Sequence, residues 1–390
     1  MPLFLKFAIL NFASGIELLP IFRRAKLLHC FSLLLLIAGL WPFNFWESNK
    51  AGIDAVNGLH LSPPSSVYTS APAEKLLDLR KFTILLHLSS DCYGSNGYLR
   101  ILSYSLDDEG INFMIGQWED SLVFKLRASG KPEPIHFETE GILQKGERGR
   151  VAIVFNGEKL VLYRDGHIKN EKKTGPLSFS NWDGSFPLLI GSEANGKFPW
   201  KGNIYSIMIF DRPFLPEEVQ SFPLSVTSGH ISEKPIIDYS FNGGGSQIKD
   251  HGIGQPAHLF IPERFTPYKR QLLALPGIQD IRRNIGDILI NVLAFIPLGF
   301  LLAGHFHRRD LALKNALLFS IIIGFLISLT IEVLQAFLPS RNSSMTDLIM
   351  NTIGTAIGGI ISRTSEYRVG GIHRQYGLKR AARVWIRGKG

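Results

Sequence analysis

The apolar residues of this 390-residue chain form uninterrupted blocks near its ends and alternate with polar residues in its middle. Leu27 to Trp46 carries no charge, and about 20 such residues suffice for a helix to cross the hydrocarbon core of a bilayer. Ile285–Ala303 holds Asp287 as its single charge, Asn315–Leu338 holds only Glu332, and Asp347–Ser362 is shorter and rich in Ile and Gly. The pattern predicts four transmembrane helices, at residues 27–46, 285–304, 315–338 and 346–362. Core helices of a soluble domain would carry more charge over such lengths.

From Lys81 to Phe214 the period changes to two. Strands are expected at Phe82–Leu88, Leu99–Tyr104 and Ile111–Gly116. Arg150–Phe155 and Lys159–Tyr163 are joined across Asn156-Gly157, a hairpin signal because both residues accept positive φ. Asp165-Gly166 marks the next turn, and Pro187–Gly191 and Asn203–Phe210 complete the run. Many short strands with regular turns and little helical pattern indicate an antiparallel all-β sandwich at about residues 60–265. The expected fold class is a multi-domain membrane protein, a four-helix transmembrane bundle with this sandwich inserted between helices one and two.

Charge sets the expected topology. Only 19% of residues are charged, against about 25% in soluble proteins, and the net charge is +9. Segment 1–26 has four Lys/Arg against one Glu, loop 305–314 three against one Asp, and tail 363–390 eight against one Glu. The positive-inside rule places all three in the cytoplasm and the sandwich outside. The basic tail is read as a topology anchor on anionic headgroups, with no nucleic-acid partner. Residues 3–22 form either an interfacial helix or an additional crossing. No small-x-small site precedes Trp41, so helix one is expected to be an uncleaved anchor. Cys30 lies in that helix and Cys92 in the sandwich, so the two do not pair.

The strings VAIVFNGEKLVLYRDGHI and LSFSNWDGSFPLLIGSEANGKFPWKGNIYSIMIFDRPFLPEEV resemble the concanavalin A-like/laminin-G-like jelly-roll superfamily, through Tyr163-Arg-Asp-Gly166, Pro187–Gly191 and Trp200–Val219. The stretch Ile236–Asp250 resembles a first strand of such domains and is expected to close the sheet beside the domain's start. The resemblance implies a fold shared by lectins, glucanases and adhesive modules. Sandwich glucanases carry two carboxylates at alternate strand positions, as in E-x-D-x-x-E, and no such string occurs here. Trp118, Trp182 and Trp200 are candidates to stack on sugar rings, with core or rim packing as the alternative. Asp91, Asp183 and Glu193 are candidate Ca²⁺ ligands in the sandwich, with plain turn residues as the alternative; no other cofactor is indicated.

Polar residues inside the apolar blocks gather at one depth. Asp287 and Asn291 share a face of helix two, Glu332 and Gln335 a face of helix three, and Asp347 and Asn351 a face of helix four. At 1.5 Å rise per residue all six fall within roughly 10 Å of the outer boundary. Arg341 sits in the outer loop between helices three and four, and Asn44 at the outer end of helix one. Intramembrane charges usually face the bundle and pair. These residues are therefore expected to form one polar cluster, either a ligand site or inter-helix hydrogen-bond glue. Gly354-Thr-Ala-Ile-Gly358 offers a small-residue face for close helix packing.

WPFNF (41–45), NVLAFIPLGFLL (291–302) and SLTIEVLQAFLPSRNSSMTDLIMNTIGTAIGG (328–359) resemble the VanZ-like membrane family. Asp287, Asn291, Phe295, Pro297, Gly299, Glu332, Gln335, Phe337, Pro339, Arg341, Asp347, Asn351, Gly354 and Gly358 all fit its pattern. The sandwich stands where that family usually has a short loop. The resemblance implies a bacterial envelope protein, and with the charge pattern the expectation is a multi-pass protein of the inner membrane with both termini cytoplasmic. It points to the cell envelope, to glycopeptide-antibiotic (teicoplanin) tolerance or the handling of an outer-leaflet amphiphile. The first expectation is a non-enzymatic protein whose partners are membrane lipids and an envelope glycan or a lipid-linked or glycopeptide amphiphile, as monomer or oligomer. The alternative is a membrane enzyme on such a substrate, with Glu332 or Asp347 as general acid/base and Arg341 as anion clamp. No nucleophile motif, HExxH or phosphate-binding Gly loop supports the alternative.

Overall fold

The computed structural model describes residues 21–54, 56, 58–92, 97–107, 110–222, 233–243, 245–275, 285–309 and 311–364. The N-terminal stretch up to residue 20 and the tail from 365 lie outside them. The chain divides into two compact units, Trp46–Arg270 and the remainder.

The first unit is built from antiparallel strands in chain order. They open with β1 (Gly52–Asp54), β2 (Gly58–Leu61), β3 (Val67–Thr69), β4 (Phe82–Ser90), β5 (Leu99–Ser105) and β6 (Ile111–Trp118). There follow β7 (Ser121–Leu126), β8 (Ile135–Thr139), β9 (Arg148–Phe155), β10 (Lys159–Arg164) and β11 (His167–Lys173). The last are β12 (Leu188–Ile190), β13 (Gly202–Phe210), β14 (Ile237–Ser240), β15 (Gln247–Ile248) and β16 (Leu259–Phe260). One sheet runs β1-β2-β13-β4-β9-β10-β11, with β14 also on β13; the other runs β15-β16-β3-β12-β5-β6-β7-β8.

Alternation creates the core. On β4, Phe82, Ile84, Leu86 and Leu88 face inward with Val151, Ile153 and Phe155 of β9. Tyr104, Phe113, Ile115, Phe124 and Leu126 of the other sheet meet them, and the Phe82 and Phe124 rings lie 6.2 Å apart. The turns follow the backbone chemistry: Gly157 has φ 101°, and Asp165-Gly166 has φ 50° and 83°.

The stretch after Ile236 does close the sheet beside the domain's start. One edge of β13 is shared: Gly202–Ile204 pairs with β2, and Ser206–Ile209 pairs with β14. In the second sheet β16 pairs with β3. The short helix α1 (Pro216–Ser221) starts on Pro216 and has Glu218 at its third position, whose side chain accepts the Leu215 N–H at 2.7 Å.

The second unit is helical. Helix α2 (Ile21–Leu40) precedes the strands in the chain, and α3 (Ile285–His307), α4 (Leu313–Gln335) and a helix over 345–364, α5, follow them. Helices α3 and α4 are long and apolar enough to cross a membrane, while the apolar part of α2 is Ala25–Leu40. Two expected ends are corrected. The first helix stops at Leu40, not at residue 46, because Pro42 has no N–H to give and disfavours helix at Trp41. Helix α4 stops at Gln335, and the residues from Ala336 to Leu338 form its closing turns before Pro339. Glycine permits the tightest approach: a Cβ on Gly299 would lie 1.9 Å from the Thr355 carbonyl, and one on Gly358 1.9 Å from that of Ile296. Exposed large apolar side chains include Leu33, Leu34 and Ile37 on α2, Leu289, Ile290 and Leu293 on α3, Leu318, Ile322, Phe325 and Leu326 on α4, and Ile353, Ile357 and Ile360 on α5. The buried ones include Ser320, Ser328, Glu332, Asn351 and Thr355.

Candidate functional site

In the helical unit, the polar residues singled out by spacing meet one another across helices. Glu332, on α4, is 2% exposed, and its Oε2 accepts the Ser344 N–H at 2.7 Å. Asp347, on α5, accepts a hydrogen bond from the Asn291 side chain of α3 and has Asp287 and Glu332 as electrostatic neighbours. Gln335 Nε2 donates to the Gly39 carbonyl of α2 at 2.8 Å. Arg341 Nε donates to the Trp41 carbonyl at 2.9 Å and, among the described residues, makes no ion pair. Asn351 lies a turn further along α5, where its Nδ2 donates to Ser328 Oγ at 2.9 Å while its buried Oδ1 has no partner. Asn44 Oδ1 accepts from Ser340 Oγ at 3.1 Å. Each of these bonds joins one segment to another, so the cluster fixes helix positions whatever else it does.

Three partners in this cluster escaped the sequence reading. Ser328 lies one turn before Glu332 on the same face of α4. Ser343 Oγ accepts the Leu273 N–H at 3.0 Å and its carbonyl accepts that of Ala274 at 3.0 Å. Ser344 Oγ accepts the Asp347 N–H at 3.4 Å. The string Ser344-Met-Thr-Asp347 is a helix-start signature and was the available signal.

In the sandwich two of the three tryptophans are corrected. Trp200 is 0% exposed and its Nε1 donates to Gln117 Oε1 at 2.7 Å. Trp182 is buried, stacks on Phe179 at 4.8 Å and donates to the Arg127 carbonyl at 2.9 Å. Neither ring is open to a sugar, because packing in the core cluster and a hydrogen bond from the indole N–H hold both. Trp118 is partly exposed and packs edge-on against Tyr98 at 5.6 Å. The three candidate Ca²⁺ ligands do not converge: among the described residues no three His, Cys, Asp or Glu side chains form a metal-sized group. Glu193 is buried in an ion pair with Arg100. Asp183 accepts the Ser185 N–H at 2.8 Å and its hydroxyl at 2.7 Å, and these bonds hold its carboxyl below the usual range. Both cysteines are free thiols.

One polar group on the outward face of β4 was not anticipated. His87 Nε2 accepts from Arg148 Nε at 2.9 Å, so the ring carries its proton on Nδ1. Burial first, and then the Arg148 and Arg150 charges, push its pKa down to about 4. His87 is therefore neutral at physiological pH.

Among known proteins, residues 236–366 match the VanZ/LLP1 family model, and residues 64–220 match the Laminin_G_3 model of the concanavalin A-like lectin/glucanases superfamily. No curated protein matches the chain. Among solved structures, the CBM40 domain of a Ruminococcus gnavus sialidase, bound to α2,3 sialyllactose, is 12% identical with a TM-score of 0.36; 42% of this chain covers 95% of that one. The NanB sialidase of Streptococcus pneumoniae is 20% identical with a TM-score of 0.36, over 44% of this chain and 28% of that one. A heptameric SAP-like pentraxin of Limulus polyphemus is 11% identical with a TM-score of 0.35, over 54% of this chain and 93% of that one. Residues 64–220 are thus a concanavalin A-like domain, and residues 236–366 carry the VanZ/LLP1 segment.

Proposed function

We propose that this is a multi-pass protein of the bacterial inner membrane that presents a glycan-binding sandwich on the extracytoplasmic side and performs no catalysis itself. Helices α2 to α5 form a four-helix transmembrane bundle, and the sandwich is inserted after the first of them. The observation that carries the membrane assignment is the inverted polarity of the helical unit. Its exposed positions include many Leu, Ile and Phe, and its buried ones include Ser, Thr, Asn and Glu beside Phe295, Leu298 and Ile331. Such an arrangement suits lipid outside and polar contacts between helices. The basic segments 1–26, 305–314 and 363–390 then face the cytoplasm. The concanavalin A-like match supports an envelope glycan as the partner of the sandwich. The hydrogen bonds of Glu332, Gln335, Arg341 and Asn351 support a structural role for the cluster, because each is spent on joining segments.

A second reading rests on a separate observation: Asp347 has Asp287 as an electrostatic neighbour and Glu332 has Asp347, three carboxylates carried by three helices. Such a carboxylate group, with Arg341 exposed in the loop that joins two of those helices, suits acid/base work on a lipid-linked or glycopeptide amphiphile.

Cysteine labelling tests the topology. In a Cys30→Ser, Cys92→Ser background, Arg341→Cys is expected to react with an impermeant maleimide in intact spheroplasts. Labelling only after lysis would reverse the bundle and place the sandwich in the cytoplasm. Glu332→Gln separates the two functional readings. An envelope phenotype kept by this variant at wild-type protein level supports the non-catalytic one, and its loss supports the enzyme.

A further inference from the structure

Three hydrogen-bond donors on the outward face of the first sheet share one small cavity. Ser206 of β13, His87 of β4 and Arg150 of β9 lie side by side in register, so their side chains project from one face. All three line a cavity of about 30 Å³, which has room for about one water-sized particle. Met208, Val219 and Phe222 wall it with apolar side chains.

Each donor is left open by its other contacts. His87 is 5% exposed, and its Nε2 accepts from Arg148 Nε at 2.9 Å, which leaves the proton on Nδ1. Arg150 Nε is buried and has no hydrogen-bond partner. Among the described residues neither His87 Nδ1 nor the Ser206 hydroxyl meets an acceptor. Buried donors left unmade are costly, and cavities that stay empty are apolar ones, so this one is expected to be filled.

Charge and the sense of the hydrogen bonds select what fills it. Arg148, Arg150 and Arg164 stand around His87, together with Asp165. Asp165 pairs with Arg164 at 3.1 Å, and its Oδ1 accepts the Arg150 backbone N–H at 2.8 Å. Glu147 lies 3.5 Å from Arg164. Three arginines against two carboxylates leave one positive charge. A water molecule could accept from two of the donors, but it would leave that charge in place, and its own hydrogens would find only the Ser206 oxygen among the lining side chains. A monatomic anion only accepts, suits a space of this size and cancels the remaining charge. An organic carboxylate, a sulfate or a sugar ring is too large for it.

We propose that this cavity is a halide site, in which one chloride ion accepts from Arg150 Nε–H, His87 Nδ1–H and the Ser206 hydroxyl. Arg148 lies outside the cavity and is a positioning residue, because its bond to Nε2 fixes which ring nitrogen of His87 carries the proton. The ion joins β13, β4 and β9 across the sheet, and the site stands apart from the glycan-binding reading.

The full-length protein in lipid nanodiscs is titrated with sodium chloride and followed by chloride-35 NMR, in which exchange with a bound ion broadens the free-ion line. The expected result is excess broadening that bromide displaces and gluconate, at constant ionic strength, does not. Arg150→Gln is expected to weaken the binding by roughly tenfold or more, and Ser206→Ala by roughly three- to tenfold. Ser206 is partly exposed, so its variant keeps the test open if Arg150→Gln fails to fold. Lys131→Gln, at an exposed turn elsewhere on the sandwich, is expected to leave the broadening unchanged. No excess broadening in the folded parent protein would overturn the proposal and leave water as the occupant. Broadening indifferent to both variants, lost equally in Lys131→Gln or displaced equally by gluconate would belong to the general surface charge and would also overturn it.

Discussion

Glu332, near the end of α4, accepts the backbone N–H of Ser344 at 2.7 Å, so one buried carboxylate organises the start of the next helix. The same serine caps Asp347 through its hydroxyl. An amide oxygen at position 332 can accept the same N–H, whereas an alkyl side chain cannot. Glu332→Gln is therefore expected to melt within about 1 kcal/mol of the parent, and Glu332→Leu to lose about 1–3 kcal/mol for the N–H left unmade. Thermal unfolding in detergent distinguishes them; equal midpoints for both variants would show that this bond contributes nothing to stability.

Helix packing gives a sharper steric contrast. A Cβ on Gly299 or Gly358 would lie 1.9 Å from a carbonyl oxygen of the facing helix, and one on Gly354 2.3 Å from that of Val292. The obstacle is backbone, so relief requires the helices to separate. Gly299→Ala and Gly358→Ala are each expected to cost about 1–3 kcal/mol or more. Gly286→Ala has nothing within 4 Å of the new carbon and is expected to be neutral or slightly stabilising. Folded yield and unfolding midpoint of the three variants, purified side by side, test the ranking.

In the sandwich, His87 makes stability depend on pH. Its folded pKa, about 4, lies below its unfolded value, which is about 6.5. The unfolded chain thus takes up the proton first. Stability linked to this group is complete above pH 6.5 and is lost as pH falls through the interval down to 4. At 1.36 kcal/mol per unit the loss is at most roughly 3 kcal/mol. Denaturant unfolding at pH 7.5 and 5 is expected to show the decline, and His87→Gln to remove this share of it. Arg148→Gln takes away one of the charges that depress the ring and is expected to raise the pKa. An imidazole NMR titration of His87 near 6.5 in the parent would refute the account.

Much of this organisation was legible in the sequence for simple physical reasons. The Phe82/Ile84/Leu86/Leu88 alternation marks a half-buried strand, and Asn156-Gly157 marks its kind of turn. Polar residues at i and i+4 inside apolar helices share a face, as Asp287/Asn291 and Asp347/Asn351 do. Other features depended on information that local pattern does not hold. β11 reads His-Ile-Lys-Asn-Glu-Lys-Lys and is mostly exposed, so it shows no alternation. β15 and β16 are two residues long and exist through their partners. Apolarity alone ran the first helix past Pro42 to residue 46. Trp182 and Trp200 were legible either as sugar-stacking or as core residues, and local pattern does not decide because both lie in loops whose packing the sheets set. The pairing of Arg150 with His87 required the β4–β9 register, which no spacing within either strand encodes.

The buried pair of Arg100 and Glu193 holds the loop after β12 against β5. Their side chains are 4% and 2% exposed. The Arg100 NH1 donates to the Tyr98 carbonyl at 2.6 Å, its guanidinium lies 4.8 Å from the centre of the Phe198 ring, and Ser105 Oγ stands 3.5 Å from Glu193 Oε2. Removing one member strands the other charge in a dry site. Glu193→Ala is therefore expected to cost about 3–5 kcal/mol, and Arg100→Met combined with Glu193→Leu to recover much of that loss, because the desolvation penalty disappears with the second charge. A double-mutant cycle by denaturant unfolding measures the coupling. The same pair bears on calcium. Glu193 is committed to Arg100, and its partners in the candidate Ca²⁺ set lie elsewhere, so added calcium is expected to leave the unfolding midpoint of the parent protein unchanged. A calcium-dependent rise that vanishes in Glu193→Gln would show instead that this carboxylate exchanges its arginine for a metal ion.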